Sequence, residues 1–354
     1  MLLFMEARMK KNPYTLLFGK EPKQNINRFS ESSTVLGNFT DEDYSEQLYI
    51  VTGVRGAGKT VFMTEVANKL RENEDWIVIE LNSEADLMTD LASKLSSEQK
   101  LAEIFRKAKI NLSFWGFGLE VDGAAPITNL ETAITKMLES IRKQNKRVLV
   151  TIDEVVSNKS MSEFASAFQI FIRQELPIFL LMTGLYQNIE ELQNRKNLTF
   201  LLRAPKITLK PLNLRMMAES YEKNLEVSPE DANEMSRLTK GYPFAFQVLG
   251  YMTWENKGDY KKALSEFRQQ LEDLVYDKIW SELSENDKVV ATAIAKSENE
   301  KVSEIREILN ITNNQFNPYK KRLLKKGLIT DEYGYARFTL PMFKEYVLTV
   351  SESL

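Results

Sequence analysis

The chain has 354 residues, 43% hydrophobic and 27% charged, a composition that excludes general disorder and gives room for two or three domains with sizeable cores. Its net charge of −3 excludes a global positive field, so any binding to nucleic acid or an anionic membrane must be local. Cysteine and histidine are both absent, which excludes disulfides, thiolate chemistry, the usual zinc sites and histidine-based triads, and leaves carboxylates, Lys, Arg, Ser/Thr and bound Mg²⁺ to carry chemistry.

In chain order, MLLFMEARMKKNPYTLLFG has a short apolar start, with no cationic stretch before it and no small-residue cleavage pattern after it. No later run reaches the roughly 18 apolar residues of a membrane helix, so a cytoplasmic protein without membrane contact is expected. LYIVT (48–52), WIVIEL (76–81), RVLVTID (147–153) and PIFLLMT (177–183) have the length and composition of buried strands, and KITLK (206–210) is a weaker fifth. Helix-length segments separate them, which predicts crossover connections and a parallel sheet covered on both faces. Between the second and third strands, KINLSFWGFGLEVDG (109–123) alternates around Gly116 and Gly118 and predicts an inserted β-hairpin; Phe114, Trp115 and Phe117 there read either as core packing or as a partner surface. Residues 211–280 read as helices with GYPFAFQVLG in their middle. SENDKVVATAIAK, VSEIREILN and NNQFNPYKKRLLKKG then form three helical segments, and LITDEYGYARFTL gives two strand-like runs around a Tyr-Gly turn, the order of a winged helix-turn-helix. The expected organisation is a core over 1–210, with a lead-in at 13–47 and the insert at 109–123, a helical domain over 211–280 and a winged helix over 281–354.

GVRGAGKT (53–60) fits the phosphate-loop template G-x-x-x-x-G-K-[ST] with Gly53, Gly58, Lys59 and Thr60 in register, directly after a strand and before a helix. Such a loop curls so that successive backbone N–H groups face phosphate oxygens, and a helix N-terminus adds its positive dipole end. The cradle would comprise Gly53, Val54, Arg55, Gly56, Ala57, Gly58, Lys59, Thr60 and Val61, with Lys59 neutralising β/γ charge and the Thr60 hydroxyl ligating Mg²⁺. RVLVTIDE ends a strand on two acids: Asp153 would share the Mg²⁺ shell with Thr60, and Glu154 would orient and deprotonate an attacking water. Taken alone, such a pair also reads as a solvated edge or helix cap. Thr183 reads as a sensor of the γ-phosphate or as a cap of the next helix. Arg203, following Arg195, reads as a γ-phosphate contact in cis or in trans, or as a solvated arginine.

GVRGAGKT, VLVTIDE, MTGL and GYPFAFQVLG resemble the AAA+/STAND P-loop ATPases, particularly the archaeal-type ATPases related to replication initiators. The resemblance runs from about residue 13 to 345 and implies an α/β fold of the P-loop NTPase (ASCE/AAA+-like) class: a parallel-sheet ATPase core, an α-helical lid and a winged helix. It implies ATP and Mg²⁺ as cofactors and ATP/ADP exchange. It also implies a nucleotide contact from the Gly-x-Pro at Gly241, Tyr242 and Pro243, which reads equally as a helix C-cap followed by a new helix start. Phe18, Gly19 and Pro22 in the lead-in would lie near the adenine. The sequence departs from the AAA+ pattern in lacking a clear second-region arginine finger and a sensor-2 arginine, Pro243 occupying that neighbourhood. A switch that binds ATP, closes its lid and hydrolyses slowly is therefore implied rather than a ring with fingers in trans. No guanine-reading Asn-Lys-x-Asp is present.

Lys320, Lys321, Arg322, Lys325 and Lys326 fall within two turns of the third C-terminal helix and suit the phosphates of double-stranded DNA, with the wing around Gly334 touching the neighbouring groove. Asp331 and Glu332 in the wing oppose that reading, and Leu323 and Leu324 point inward on an amphipathic helix. The output is thus a DNA contact or, in a STAND-type signalling or defence ATPase, a protein client. A nucleotide-binding module without turnover is the third class, against which Glu154 argues.

Overall fold

The computed structural model describes residues 11–16, 22–117 and 124–352. The first ten residues, Phe18 and Gly19 of the lead-in, and residues 118–123 of the insert lie outside the described residues. The chain divides into two compact units. One holds Arg28–Gly53 and Lys59–Leu209; the other holds the described parts of Met1–Asn27, Val54–Gly58 and Lys210–Leu354.

The first unit is built on five parallel strands, β1 (Leu48–Thr52), β2 (Trp76–Leu81), β3 (Arg147–Ile152), β4 (Ile178–Gly184) and β5 (Lys206–Thr208), in the order β2-β3-β4-β1-β5. Its helices are α1 (Phe29–Thr40), α2 (Lys59–Arg71), α3 (Leu87–Ser97), α4 (Gln99–Lys107), α5 (Leu130–Arg142), α6 (Lys159–Arg173) and α7 (Tyr186–Gln193). Every residue of β1 and β4 is buried, the condition under which a strand becomes a continuous apolar run instead of an alternating one. The edge strand β5 is short and mostly exposed, so KITLK gave the weakest strand signal. Side-chain caps start the crossover helices: Asp86 accepts from Thr89 N, Asn129 from Thr132 N and Asn158 from Met161 N. On α6, Met161, Phe164, Ala165, Phe168 and Phe171 are buried at helical spacing and form one apolar stripe over the sheet. The register pairs Thr52 with Gly184 and Ile152 with Met182. β1 and β4 therefore end level and β3 ends two residues short of them, with β4 in the middle, and the segments leaving the three strands emerge on one side of the sheet.

The hairpin expected at 109–123 is absent among its described residues. Lys109 turns the chain with φ +55 after α4, Ile110 and Leu112 are buried, and Ser113–Trp115 form a 3₁₀ turn. Asn111 explains the turn: its Oδ1 accepts from Ser113 N at 3.0 Å, and its Nδ2 donates to Ala124 O at 2.8 Å. The alternation arose from two buried aliphatic residues in a loop, not from strand pairing. The aromatic trio splits: Trp115 donates its indole N–H to Ile127 O, Phe117 packs against the core, and Phe114 is 60% exposed.

The second unit contains α8 (Leu214–Leu225), α9 (Pro229–Leu238), α10 (Pro243–Glu255), α11 (Tyr260–Leu271), α12 (Asp277–Ser281), α13 (Glu285–Lys296), α14 (Val302–Leu309), α15 (Asn313–Lys325), the antiparallel pair β6 (Ile329–Glu332) and β7 (Tyr335–Phe338), and α16 (Phe343–Glu352). A π-turn over Glu272–Tyr276 joins α11 to α12. Helix α10 is apolar nearly all round because it lies inside this unit. Tyr14 of the lead-in packs beside it: Gly250 leaves room for the ring, and Tyr14, Tyr221 and Phe246 form a cluster with centroids 4.9–5.7 Å apart. Thr15 N, Gln247, Gln24 and Asn224 complete the attachment by hydrogen bonds. Helix α16, which follows the two strand-like runs, had no counterpart in the sequence reading. Among the described residues no helix is long and apolar enough to cross a membrane.

Candidate functional site

In the sheet unit, the phosphate-loop lysine and threonine open α2. Lys59 is 7% exposed, and its Nζ donates to Gly53 O at 3.1 Å; a lysine this buried needs oxygen partners to hold its charge. Val61 follows in the first turn, partly buried. Thr60 Oγ1 donates to Asp153 Oδ2 at 2.7 Å, which joins the segment after β1 to the segment after β3. Thr183, fully buried on β4 between those strands, donates its hydroxyl to the other carboxylate oxygen, Asp153 Oδ1. The same Thr183 Oγ1 accepts the backbone N–H of Glu154 at 3.1 Å. Both carboxylate oxygens of Asp153 are thus occupied by hydroxyl donors, and one buried threonine orients two consecutive acidic residues.

Glu154 has φ +49, an uncommon conformation for a residue with a Cβ. Its N–H is shared between Thr183 Oγ1 and Asp153 Oδ1, each at 3.1 Å, and Val155 N donates to Thr183 O at 2.9 Å. These bonds hold the turn that leaves the Glu154 side chain exposed while Ile152 and Val155 are buried. Thr183 does not cap the following helix; Leu185 precedes α7 there, without a side-chain cap bond. Thr60 and Asp153 offer a hydroxyl and a carboxylate within 2.7 Å, the hard oxygen donors that suit Mg²⁺. No group of three metal-ligating side chains occurs among the described residues, so an ion there would complete its shell with phosphate and water oxygens.

The two arginines differ in surroundings. Arg195 donates from Nε to Ser157 Oγ at 2.9 Å, from Nη1 to Ser162 Oγ at 2.6 Å and from Nη2 to Ser157 O, pinning the segment just after Glu154. Arg203 ends the 3₁₀ stretch Lys196–Leu202 and is exposed.

In the helical unit, the loop tip Val54–Gly58 meets the start of α10. Gly56 has φ +76, and a Cβ added there would lie 2.1 Å from Tyr242 Oη and 3.0 Å from Phe244 Cβ, so only glycine fits. Tyr242 Oη donates to Arg55 O at 2.6 Å, and a Cβ on Gly58 would meet Pro243 at 3.9 Å. Burial holds the Tyr242 phenol far above its ordinary range, opposed by Arg55, which keeps it a donor. The Gly-x-Pro segment is at once a helix stop and a helix start: Thr239 caps α9, Tyr242 occupies the cap position of α10, and Pro243 follows at a first-turn position. Gly241 has φ +75 and allows no Cβ, which would fall 2.7 Å from Leu212 O. The guanidinium of Arg55 pairs with Glu282 at 2.9 Å. No spacing rule links residues 55 and 282, and the sequence reading missed Glu282.

The C-terminal cations are mostly committed within the unit. Arg322 pairs at 2.7 Å with Asp287, whose side chain is only 3% exposed, and Lys320 pairs at 2.8 Å with Asp331 of β6. Lys326 donates to Glu282 O at 3.5 Å, and burial lowers its ammonium from its usual range. Lys321 and Lys325 are exposed, as is Tyr333 at the turn of the β6–β7 hairpin, where Tyr333 and Gly334 both have positive φ. Leu323 is fully buried and Leu324 partly. Arg322→Ala should therefore lower stability by about 1–3 kcal/mol, because it strips a buried carboxylate of its partner. Lys321→Ala should stay within about 0.5 kcal/mol of wild type. Denaturant titration of both variants reads the difference.

Structural comparison finds the same fold in a Walker-type ATPase of Pyrococcus abyssi (TM-score 0.65, 20% identity, covering 92% of this chain and 96% of that one). It also finds it in the ORC2 protein of Aeropyrum pernix, solved as ADPNP–ADP complexes (TM-score 0.58, 15% identity, 95% and 97%). No curated protein shows significant sequence similarity to the chain. Residues 273–347 match a model described as a domain of unknown function. Residues 38–249, well over half the chain, match the model described as an ATPase domain predominantly from Archaea, and with the parallel sheet and the phosphate loop in place, the chain belongs to that family.

Proposed function

We propose that this protein is a Mg²⁺-dependent ATP-hydrolysing switch whose output passes through its C-terminal segment to DNA. The observation that carries the hydrolytic reading is the linked set Thr60, Asp153, Thr183 and Glu154 at the carboxyl ends of three neighbouring strands. Lys59 would bind the β- and γ-phosphates, and the N–H groups of residues 53–61 would hold their oxygens. Thr60 and Asp153 would hold Mg²⁺, which when bound neutralises phosphate charge. Glu154 would take a proton from water as its oxygen attacks the γ-phosphorus, the bond to the bridging oxygen breaking to leave ADP and phosphate. Adenine as the base rests on the family and on the ADPNP and ADP bound in the Aeropyrum pernix ORC2 complexes.

Thr183 is the positioning group in this scheme. Thr183→Val keeps the shape but removes the donor to Asp153 and the acceptor for Glu154 N–H, so kcat should fall about 10- to 100-fold, while Thr183→Ser retains most of the activity. Phosphate release at saturating ATP compares them.

The DNA part of the proposal rests on the order α13, α14, α15, β6, β7, which suits a winged helix with α15 as the groove-facing helix. Exposed Lys321 supplies a cation on that helix. The family match and the fold likenesses lend no support to the signalling alternative. Phosphate release with and without duplex DNA over a salt series tests this part. The reading expects stimulation that fades with salt, with a log–log slope of about −1 for each phosphate contact. A response indifferent to DNA at every salt overturns it and points to a protein client.

A further inference from the structure

The tip of the phosphate loop is gripped by three separate pieces of the helical unit. Tyr242 at the start of α10 donates to Arg55 O at 2.6 Å. Glu282, in the connection from α12 to α13, pairs with the Arg55 guanidinium at 2.9 Å, both side chains being about one quarter exposed. Gly327, between α15 and β6, lies so close to Val54 that an added Cβ would stand 2.7 Å from Val54 Cγ1. Glu282 is itself held, its carboxylate by Lys278 at 3.6 Å and its carbonyl by Lys326. Residue 55 thus has its carbonyl and its side chain fixed by residues 187 and 227 positions away.

We propose that Tyr242 and Glu282 form a latch on Arg55 that sets the loop tip in its phosphate-binding curve and retards nucleotide release, tying exchange to the segment that enters α13. The proposal rests on the nucleotide-binding reading and adds positioning residues outside the phosphate template. The physical argument is a simple one. The loop binds phosphate through its own backbone N–H groups, so its curve must be held before ligand arrives, and glycines at 53, 56 and 58 cannot hold it alone. An external donor on the Arg55 carbonyl and an external carboxylate on its guanidinium supply that constraint. The coupling is reciprocal: a nucleotide that tightens the loop tip also tightens the hold on Glu282, and so on the connection leading to α13.

The test is the dissociation rate of a fluorescent ADP analogue from the full-length protein, measured for wild type, Glu282→Gln, Tyr242→Phe, Arg55→Gln and the Arg55→Gln/Glu282→Gln pair. The latch predicts release roughly 3- to 10-fold faster in each single variant, with the pair no faster than the faster of its two singles. Single-turnover hydrolysis in Glu282→Gln should stay at the wild-type rate, and Glu282→Asp should recover part of the slow release. Amide exchange of residues 278–290 in wild type should slow on adding ADP. Release rates unchanged in all variants, or additive in the pair, would overturn the latch while leaving the ATPase reading intact. If wild type binds ADP no better than Lys59→Ala, the underlying reading fails instead.

Discussion

Glu154→Gln is expected to lower kcat for ATP hydrolysis about 10²- to 10⁴-fold while leaving ATP affinity close to that of wild type. The side chain is exposed and adjoins the carboxylate, Asp153, whose two oxygens are taken by Thr60 and Thr183. Replacing the carboxylate by an amide of the same size removes the proton acceptor and keeps the backbone N–H bonds that hold the turn. Phosphate release and equilibrium binding of a fluorescent ATP analogue, measured on the same preparation, separate loss of chemistry from loss of binding.

Lys59→Ala is expected to act on the other half of that pair. A buried ammonium opposite phosphate oxygens is worth about 2–5 kcal/mol when truncated, so the Kd for ATP should rise about 30- to several-thousand-fold. Hydrolysis should be lost at any ATP concentration that saturates wild type. Lys59 is 7% exposed and its Nζ bonds Gly53 O, so the variant also loses a contact inside the loop. Calorimetric binding with a parallel thermal melt distinguishes a folded protein that cannot bind from one that has lost its fold.

The strands were legible because the sheet is parallel and covered: burial on both faces of β1, β3 and β4 forces apolar runs of strand length. The phosphate loop was legible because its glycines answer a local backbone demand, seen here as φ +76 and +85 at Gly56 and Gly58. The insert at 109–123 misled because alternation reports burial and not pairing; Ile110 and Leu112 are buried in a loop shaped by Asn111. The cation cluster of α15 looked like a surface for phosphate, yet Asp287 and Asp331 claim Arg322 and Lys320. Those acids come from α13 and β6, and no periodicity within α15 reports what folds against it. Glu282 was invisible for the same reason. Thr183 could be singled out from its place at the end of an apolar strand, but its two roles, donor to Asp153 and acceptor for Glu154 N–H, depend on β4 lying between β1 and β3, a strand order that the spacing does not reveal.

Phosphate release from ATP by the wild-type protein, with Mg²⁺ and with the metal chelated, beside Glu154→Gln under both conditions, tests the central claim most directly. The account predicts turnover in wild type with Mg²⁺ alone, abolished by chelation and by the substitution. Release from wild type no faster than from Glu154→Gln in the presence of Mg²⁺ would contradict it.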